Sequence, residues 1–368
     1  MSKFNMMDFN RNEPFNDLPN LPPDFDLNHP EILNHLVRAS RHLGELKGLC
    51  MTLPDPNLLI NTVVLQESRD SSAIENIVTT QDELFQAVAD EETTNNAAKE
   101  VLSYRKAIYQ GLEMMQGRQN LITTNMLVQI VQAIKENESG VRKTPGTALK
   151  NAITGAVIYT PPCCEDVIRE KLESLEGFIN DDKNIRLDPL IKMALIHYQF
   201  ESIHPFLDGN GRTGRILNVL YLVQQGLLPQ PVLYLSSYIN ANKQVYYRLL
   251  REVTENDNWK DWVMFILTSV RETAQSTSQK IRNILSLKAQ LEEQVKEISG
   301  ASYDHELVQL MFKVPYLKID SIVNNQLAHR QTASTWLKRL ENEEILRVKK
   351  IGKTNYYINW RLMEVLSS

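Results

Sequence analysis

Two apolar segments with helical spacing flank a twelve-residue polar turn, and that arrangement limits this chain more than any other feature. The turn reads His204-Pro205-Phe206-Leu207-Asp208-Gly209-Asn210-Gly211-Arg212-Thr213-Gly214-Arg215. Before it, apolar residues at 187, 190, 191, 194, 195 and 198 recur at helical spacing, with Asp188 placed to cap and Pro189 at the first helical position. After it, Ile216, Leu217, Val219, Leu220 and Leu222 predict a buried helix ending near Gly226. Gly209, Asn210 and Gly211 permit a tight turn with positive φ, in which successive N–H groups converge on one anion. An anion held there sits at a helix N-terminus, where free donors and the macrodipole favour it. Arg212 and Arg215, three residues apart, can face one phosphate chain. Asp208 offers a hard oxygen ligand to a magnesium ion. His204 titrates near neutral pH and can take a proton from a hydroxyl. His197 is expected to pack on the helix face, and Asn218, in an apolar stretch, to need a buried partner.

The run contains Gly209-x-Gly211-x-x-Gly214, but a dinucleotide fingerprint follows a strand, and here the preceding segment is helical. No Gly-Lys-Ser/Thr is present for a Walker loop. The run resembles instead the signature of the Fic family, His-Pro-Phe-x-Asp/Glu-Gly-Asn-Gly-Arg-x-x-Arg, met here at His204, Pro205, Phe206, Asp208, Gly209, Asn210, Gly211, Arg212 and Arg215. The resemblance implies a helical core, ATP with Mg2+, and transfer of AMP to a protein Ser, Thr or Tyr hydroxyl. It makes His204 the general base and Asp208 the metal ligand. Gly209, Asn210 and Gly211 would cradle phosphates, with Arg212 and Arg215 on the β- and γ-phosphates and Phe206 anchoring the loop. A Doc-like kinase carries lysine in place of Gly211, so nucleotidyl transfer is favoured over phosphorylation.

Two upstream segments acquire meaning beside that loop. Residues 150–162 place short β-branched runs around Gly155 and end at Pro161-Pro162, which predicts a hairpin. It resembles the family's flap, with Lys150, Asn151, Ile153, Val157 and Tyr159 pairing with the target backbone. Ser71-Ser72-Ala73-Ile74-Glu75-Asn76 lies in a stretch, Glu67 to Val88, that reads as helix, so Ser71 and Glu75 share a face. It is similar to the family's inhibitory motif, in which Ser71, Glu75 and Asn76 would stand and Glu75 would pair with Arg215. Tyr238 and Asn242 lie where related proteins build the adenine wall.

A chain of 368 residues exceeds one ordinary domain. The expected division is an extended arm over 1–30, a helical region over 31–120 bearing the inhibitory helix, a catalytic core over 121–290 and a C-terminal domain over 291–368. The fold class expected is mainly α: a Fic-type helical bundle with a short β-hairpin flap, plus a C-terminal winged helix-turn-helix. The last rests on helical stretches at His305–Phe312, Ile319–Asn325 and Thr332–Asn342, then a basic hairpin turning at Gly352. Residues 304–368 hold ten Lys and Arg against seven Asp and Glu, a weak balance for a DNA binder, so DNA and protein are both carried as partners. Three cysteines, Cys50, Cys163 and Cys164, make neither a disulfide framework nor a zinc site. With no signal peptide or spanning segment visible, a cytoplasmic chain without membrane contact is expected. The net charge of -5 argues against broad nucleic-acid binding. A homodimer is a further expectation. The alternatives carried are removal of AMP, transfer of UMP or phosphocholine, and a DNA-binding regulator with a Fic sensor core.

Overall fold

The computed structural model describes residues 9–52, 56–90, 95–150, 154–299 and 305–367. These form a mainly helical molecule. Helices α1 (Pro30–Met51), α2 (Pro56–Ile74), α3 (Gln81–Asp90), α4 (Asn96–Gln116) and α5 (Thr124–Lys135) precede a two-stranded antiparallel hairpin, β1 (Leu149–Lys150) and β2 (Val157–Tyr159). Then come α6 (Glu165–Asn180), α7 (Pro189–Ile203), α8 (Asn210–Gln224), α9 (Ser236–Ala241), α10 (Lys243–Asn256) and α11 (Trp259–Ser299).

At the centre lie α7 and α8. Nearly every side chain of α7 is buried, which suits a helix that is apolar on all faces. Asp188 caps it by accepting from the Leu190 amide at 2.8 Å, with Pro189 next. Around this pair pack α4, α5, α6 and α11, while α1 runs along α11. Trp262 of α11 is fully buried and donates its indole N–H to the Ala194 carbonyl of α7 at 2.8 Å. The described part of the N-terminal arm lies against the globule. Leu18 is buried, and Gln199 of α7 donates to the Pro19 carbonyl at 2.9 Å.

The C-terminal unit runs α12 (His305–Lys313), β3 (Tyr316–Leu317), α13 (Ile319–Asn324), α14 (Arg330–Asn342), β4 (Arg347–Ile351), β5 (Thr354–Ile358) and α15 (Trp360–Ser367). Its antiparallel sheet has the order β3-β5-β4. Both strand β3 and helix α15 escaped the sequence reading, being short. The 41-residue α11 runs through position 290, so the expected domain boundary falls inside a helix. Ile281, Ile284, Leu287, Leu291 and Val295 explain this, since all are buried at helical spacing.

A second correction concerns 67–88. This is not one helix. Helix α2 stops at Ile74, and Asn76 takes a left-handed φ of 64° before α3 begins at Gln81. Asparagine is one of the few residues that adopt this conformation readily. Among the described residues no helix is long and apolar enough to cross a membrane.

Candidate active site

The loop is held open between two helix ends. Helix α7 finishes at His204, whose φ is 49°, and α8 begins at Asn210 after Gly209 with φ 84°. Phe206 is buried and anchors the loop beneath. Asn210 staples it: Oδ1 accepts from the Phe206 amide and Nδ2 donates to the Phe206 carbonyl, both at 2.8 Å. The side chain of Asn210 is therefore spent on the loop, leaving only its backbone for an anion. The positive φ that the turn needs falls at Gly209, while Asn210 and Gly211 already belong to α8. Gly211 leaves room for the Glu75–Arg215 pair as it stands. A Cβ there would collide with a carboxylate oxygen of Glu75 and meet Arg215 Nη1 at 2.9 Å.

The two arginines face different carboxylates. Arg215 is 3% exposed; its Nε donates to Ser71 Oγ at 2.7 Å, and its Nη2 to the Ser71 carbonyl and to Glu75 Oε1, both at 3.0 Å. Burial disfavours its charge, but Glu75, Tyr104 and Glu201 outweigh this and hold it protonated. Arg212 is 1% exposed and donates to Glu100 Oε1 of α4 at 2.5 Å, with Asp208 Oδ1 at 3.7 Å. Asn76 accepts from Lys243 Nζ at 3.4 Å, which also takes the Ile74 carbonyl and so fastens the end of α2.

Asp208 lies on the exposed rim. Its Oδ2 meets Lys135 Nζ at 2.6 Å, and its Oδ1 accepts from the Gly209 amide at 2.6 Å. Burial works against its ionisation, yet Lys135 and Arg212 prevail and hold the carboxyl below the usual aspartate range. Among the described residues no group of three His, Cys, Asp or Glu side chains could hold a metal. One carboxylate fits a hard divalent ion that takes its other oxygens from phosphates and water.

Burial foremost, and Arg142 next, push His204 down to about 4, so the imidazole is neutral at pH 7 and able to accept a proton. His197 is fully buried, stacked on Trp262 and 2.9 Å from Tyr246 Oη; burial pushes it down to about 3. It is a core residue, as expected. Two further carboxyls surround Arg215 and escaped the sequence reading. Glu67 accepts from Tyr104 at 2.9 Å and Ser236 at 2.5 Å, and Glu201 leaves Oε1 without a partner among the described residues. Burial pushes both up to about 7.

The hairpin needs correcting in detail. Lys150 is exposed and Val157 half-buried, but Tyr159 is buried, with Oη donating to the Ser202 carbonyl at 2.9 Å and its ring packed by Phe9 and Phe15. It ties the hairpin down and presents nothing to a partner. Asn151 and Ile153 lie outside the described residues. Tyr238 packs on Phe265 at 5.4 Å, and Asn242 donates to the Tyr238 carbonyl at 2.9 Å, joining α9 to α10. Both serve packing and capping here. Asn218 was expected to have a buried partner. It is 2% exposed, and neither amide atom has one among the described residues.

Family models identify this arrangement. The model described as Fic/DOC family matches residues 121–222, spanning the hairpin, the loop and most of α8. Residues 121–222 are thus similar to a Fic domain. Two further models flank it: Fic/DOC family N-terminal over 33–113, and Protein adenylyltransferase SoFic-like, C-terminal domain, over 287–362. Over 68 residues the chain is 35% identical to protein adenylyltransferase fic-1 of Caenorhabditis elegans, covering 18% of this chain and 13% of that protein. Over 102 residues it is 31% identical to protein adenylyltransferase Fic of Drosophila grimshawi, covering 28% and 20%. The chain thus spans a fifth or less of the curated relatives it matches. A solved Fic family protein from Desulfovibrio desulfuricans superposes with a TM-score of 0.58 at 21% identity, covering 92% of this chain and 98% of that one. Fic-1 of C. elegans gives 0.54 at 17% identity, over 70% and 75%. At such identities the two structures speak for the fold.

Proposed function

We propose that this chain transfers AMP from ATP to a protein hydroxyl, its own included, and that Glu75 holds it idle. The observation that carries this reading is the seat of Glu75. Its carboxylate rests on Arg215 and against Gly211, over the first turn of α8, so an anion already occupies the helix N-terminus where a nucleotide phosphate would bind.

In the reaction, His204 accepts the proton of the attacking hydroxyl. The hydroxyl oxygen bonds to the α-phosphorus while the bond to the bridging oxygen of the β-phosphate breaks, and pyrophosphate leaves with that electron pair. Asp208 would hold magnesium, which would neutralise charge on the phosphates. Arg212 and Arg215, once released from Glu100 and Glu75, would stabilise the leaving group. Lys150 and Val157, with Asn151 and Ile153, would pair with the target strand. The C-terminal unit is read as a winged helix that packs on the core. Three of its cations are spent internally: Lys349 on Asp82 at 2.8 Å, Arg330 on Asp320 at 2.6 Å, and Arg347 over the Trp360 ring at 3.8 Å.

The test is self-modification with ATP labelled at the α-phosphate. Wild type should label weakly, Glu75→Gly strongly, and His204→Ala combined with Glu75→Gly not at all. Labelling by the His204 variant would remove the base. Labelling no stronger in Glu75→Gly, across several metal and ATP concentrations, would remove the inhibitory reading. If Glu75 instead proves necessary for release of AMP from a modified target, the direction is removal. Mass spectrometry with each nucleoside triphosphate identifies the group transferred.

A further inference from the structure

Four consecutive carbonyls at the end of α7 are taken by two residues from the hairpin side of the molecule. The Ser202 carbonyl accepts from Tyr159 Oη at 2.9 Å. The Ile203 carbonyl accepts from Arg142 Nη2 at 3.3 Å and the His204 carbonyl from Arg142 Nε at 2.7 Å. The Pro205 carbonyl accepts from the Arg142 backbone amide at 2.9 Å. Arg142 Nη2 also donates to the Pro162 carbonyl, three residues beyond the last residue of β2. Both side chains are buried, Arg142 to 2% exposure and Tyr159 to 8%.

Carbonyls at a helix C-terminus lack intrahelical partners, and a cation there also meets the negative end of the dipole. A single cap would satisfy that need. Here one guanidinium does more, because it joins the hairpin's outgoing strand to the backbone of His204 itself. His204 adopts a left-handed conformation unusual for a residue with a side chain, and such a conformation persists only where its surroundings over-determine it. The bond from Arg142 Nε to its carbonyl is part of that determination. Proximity adds an electrostatic effect, since the fixed positive charge disfavours imidazolium.

We propose that Arg142 and Tyr159 are positioning residues that lock His204 to the hairpin, so that a target strand paired with the hairpin meets the imidazole at a set distance. This rests on His204 acting as the base. The experiment uses the full chain in the Glu75→Gly background, with Arg142→Met, Arg142→Lys and Tyr159→Phe. It follows His204 by histidine-labelled NMR titration, with His204→Ala assigning the resonance among seven histidines. Arg142→Met should raise the His204 pKa from about 4, with burial still holding it below 6.5, and move the acid limb of kcat upward with it. It should lower kcat by about a hundredfold, the cost of misplacement by roughly 1 Å, with KM for ATP unchanged. Arg142→Lys should return the titration toward wild type while kcat stays low, because the charge is restored without the fork. Tyr159→Phe should slow self-modification and leave the titration alone. In Arg142→Met, an unchanged titration or an unchanged kcat would overturn the proposal. If Arg142→Met fails to fold, the lysine and phenylalanine variants decide, and a lysine variant with wild-type kcat overturns it. The NMR readout needs no turnover, so a failure of His204 as base, seen as AMP transfer by His204→Ala, is distinguishable from a failure of the lock.

Discussion

Arg212 is held by a residue 112 positions away, and that bond decides what the arginine can do. Glu100 also accepts from Lys135 at 3.3 Å, and Lys135 reaches Asp208 at 2.6 Å, so two carboxylates and two cations neutralise one another along the rim. An incoming phosphate has to compete with Glu100 for Arg212. Hydrogen bonds to charged groups are worth about 1.5–3 kcal/mol, and about 1.4 kcal/mol is tenfold in affinity. Glu100→Gln should therefore tighten binding of a non-hydrolysable ATP analogue by about tenfold, measured by calorimetry. Weaker binding would mean that Glu100 orients Arg212 for the phosphate. Lys135→Met should lower the magnesium concentration at which that analogue binds half-maximally, since the ammonium competes for Asp208. The signature residues His204, Asp208, Arg212 and Arg215 were legible because they sit on one short stretch of chain. Glu100, Lys135, Arg142, Glu67 and Glu201 were not, because nothing local distinguishes them from any surface or core residue.

Helices α7 and α8 approach closely because Gly214 has no side chain. A Cβ there would lie 2.5 Å from Glu201 Oε1 and 3.0 Å from Phe200 Cδ1. Overpacking of this kind costs about 1–3 kcal/mol, so Gly214→Ala should lower the thermal midpoint measurably by calorimetry; an unchanged midpoint would show that the pair can spread. Farther out, α3 is gripped by the C-terminal sheet. Tyr316 donates to Asp82 at 2.6 Å, Tyr356 to Asp90 at 2.5 Å, and Phe85 stacks on Tyr316. Water competes at these partly exposed carboxylates, so each bond contributes about 1 kcal/mol. The double change Tyr316→Phe with Tyr356→Phe should speed amide hydrogen exchange in α3 by about tenfold or more, while exchange in α7 stays slow. The helices themselves were readable from periodicity and caps. The break at 75–80 was not, because Asn76 enters the left-handed region under the hold of Lys243 and Arg215 on neighbouring backbone and side chains.

The whole molecule responds to pH through buried groups with opposite signs. His197 and His204 have folded-state values of about 3 and about 4, below the ordinary 6.5, so their contribution is complete above pH 6.5 and declines as the pH falls. Glu67 and Glu201 are raised from 4.5 to about 7, so theirs is complete below pH 4.5 and is lost as the pH rises through 7. Between pH 4.5 and 6.5 the two slopes oppose each other, and below 4.5 the histidines still titrate, together with depressed carboxyls such as Asp208 and Glu136. Denaturant midpoints should therefore change little across that window and fall steeply below it, and His197→Gln should flatten the acid limb. A midpoint that keeps rising below pH 4.5 would reject the sign. By itself the sequence determined a helix–turn–helix carrying a base, a carboxylate and two arginines, since spacing, capping and turn chemistry act between residues close in the chain. Only the tertiary structure decided which carboxylate holds each arginine, that Tyr159 points inward, and that the ends of α2 and α7 are fastened by Lys243 and Arg142. Charges and carbonyls so far apart in sequence find one another only when burial removes the water that would otherwise serve them.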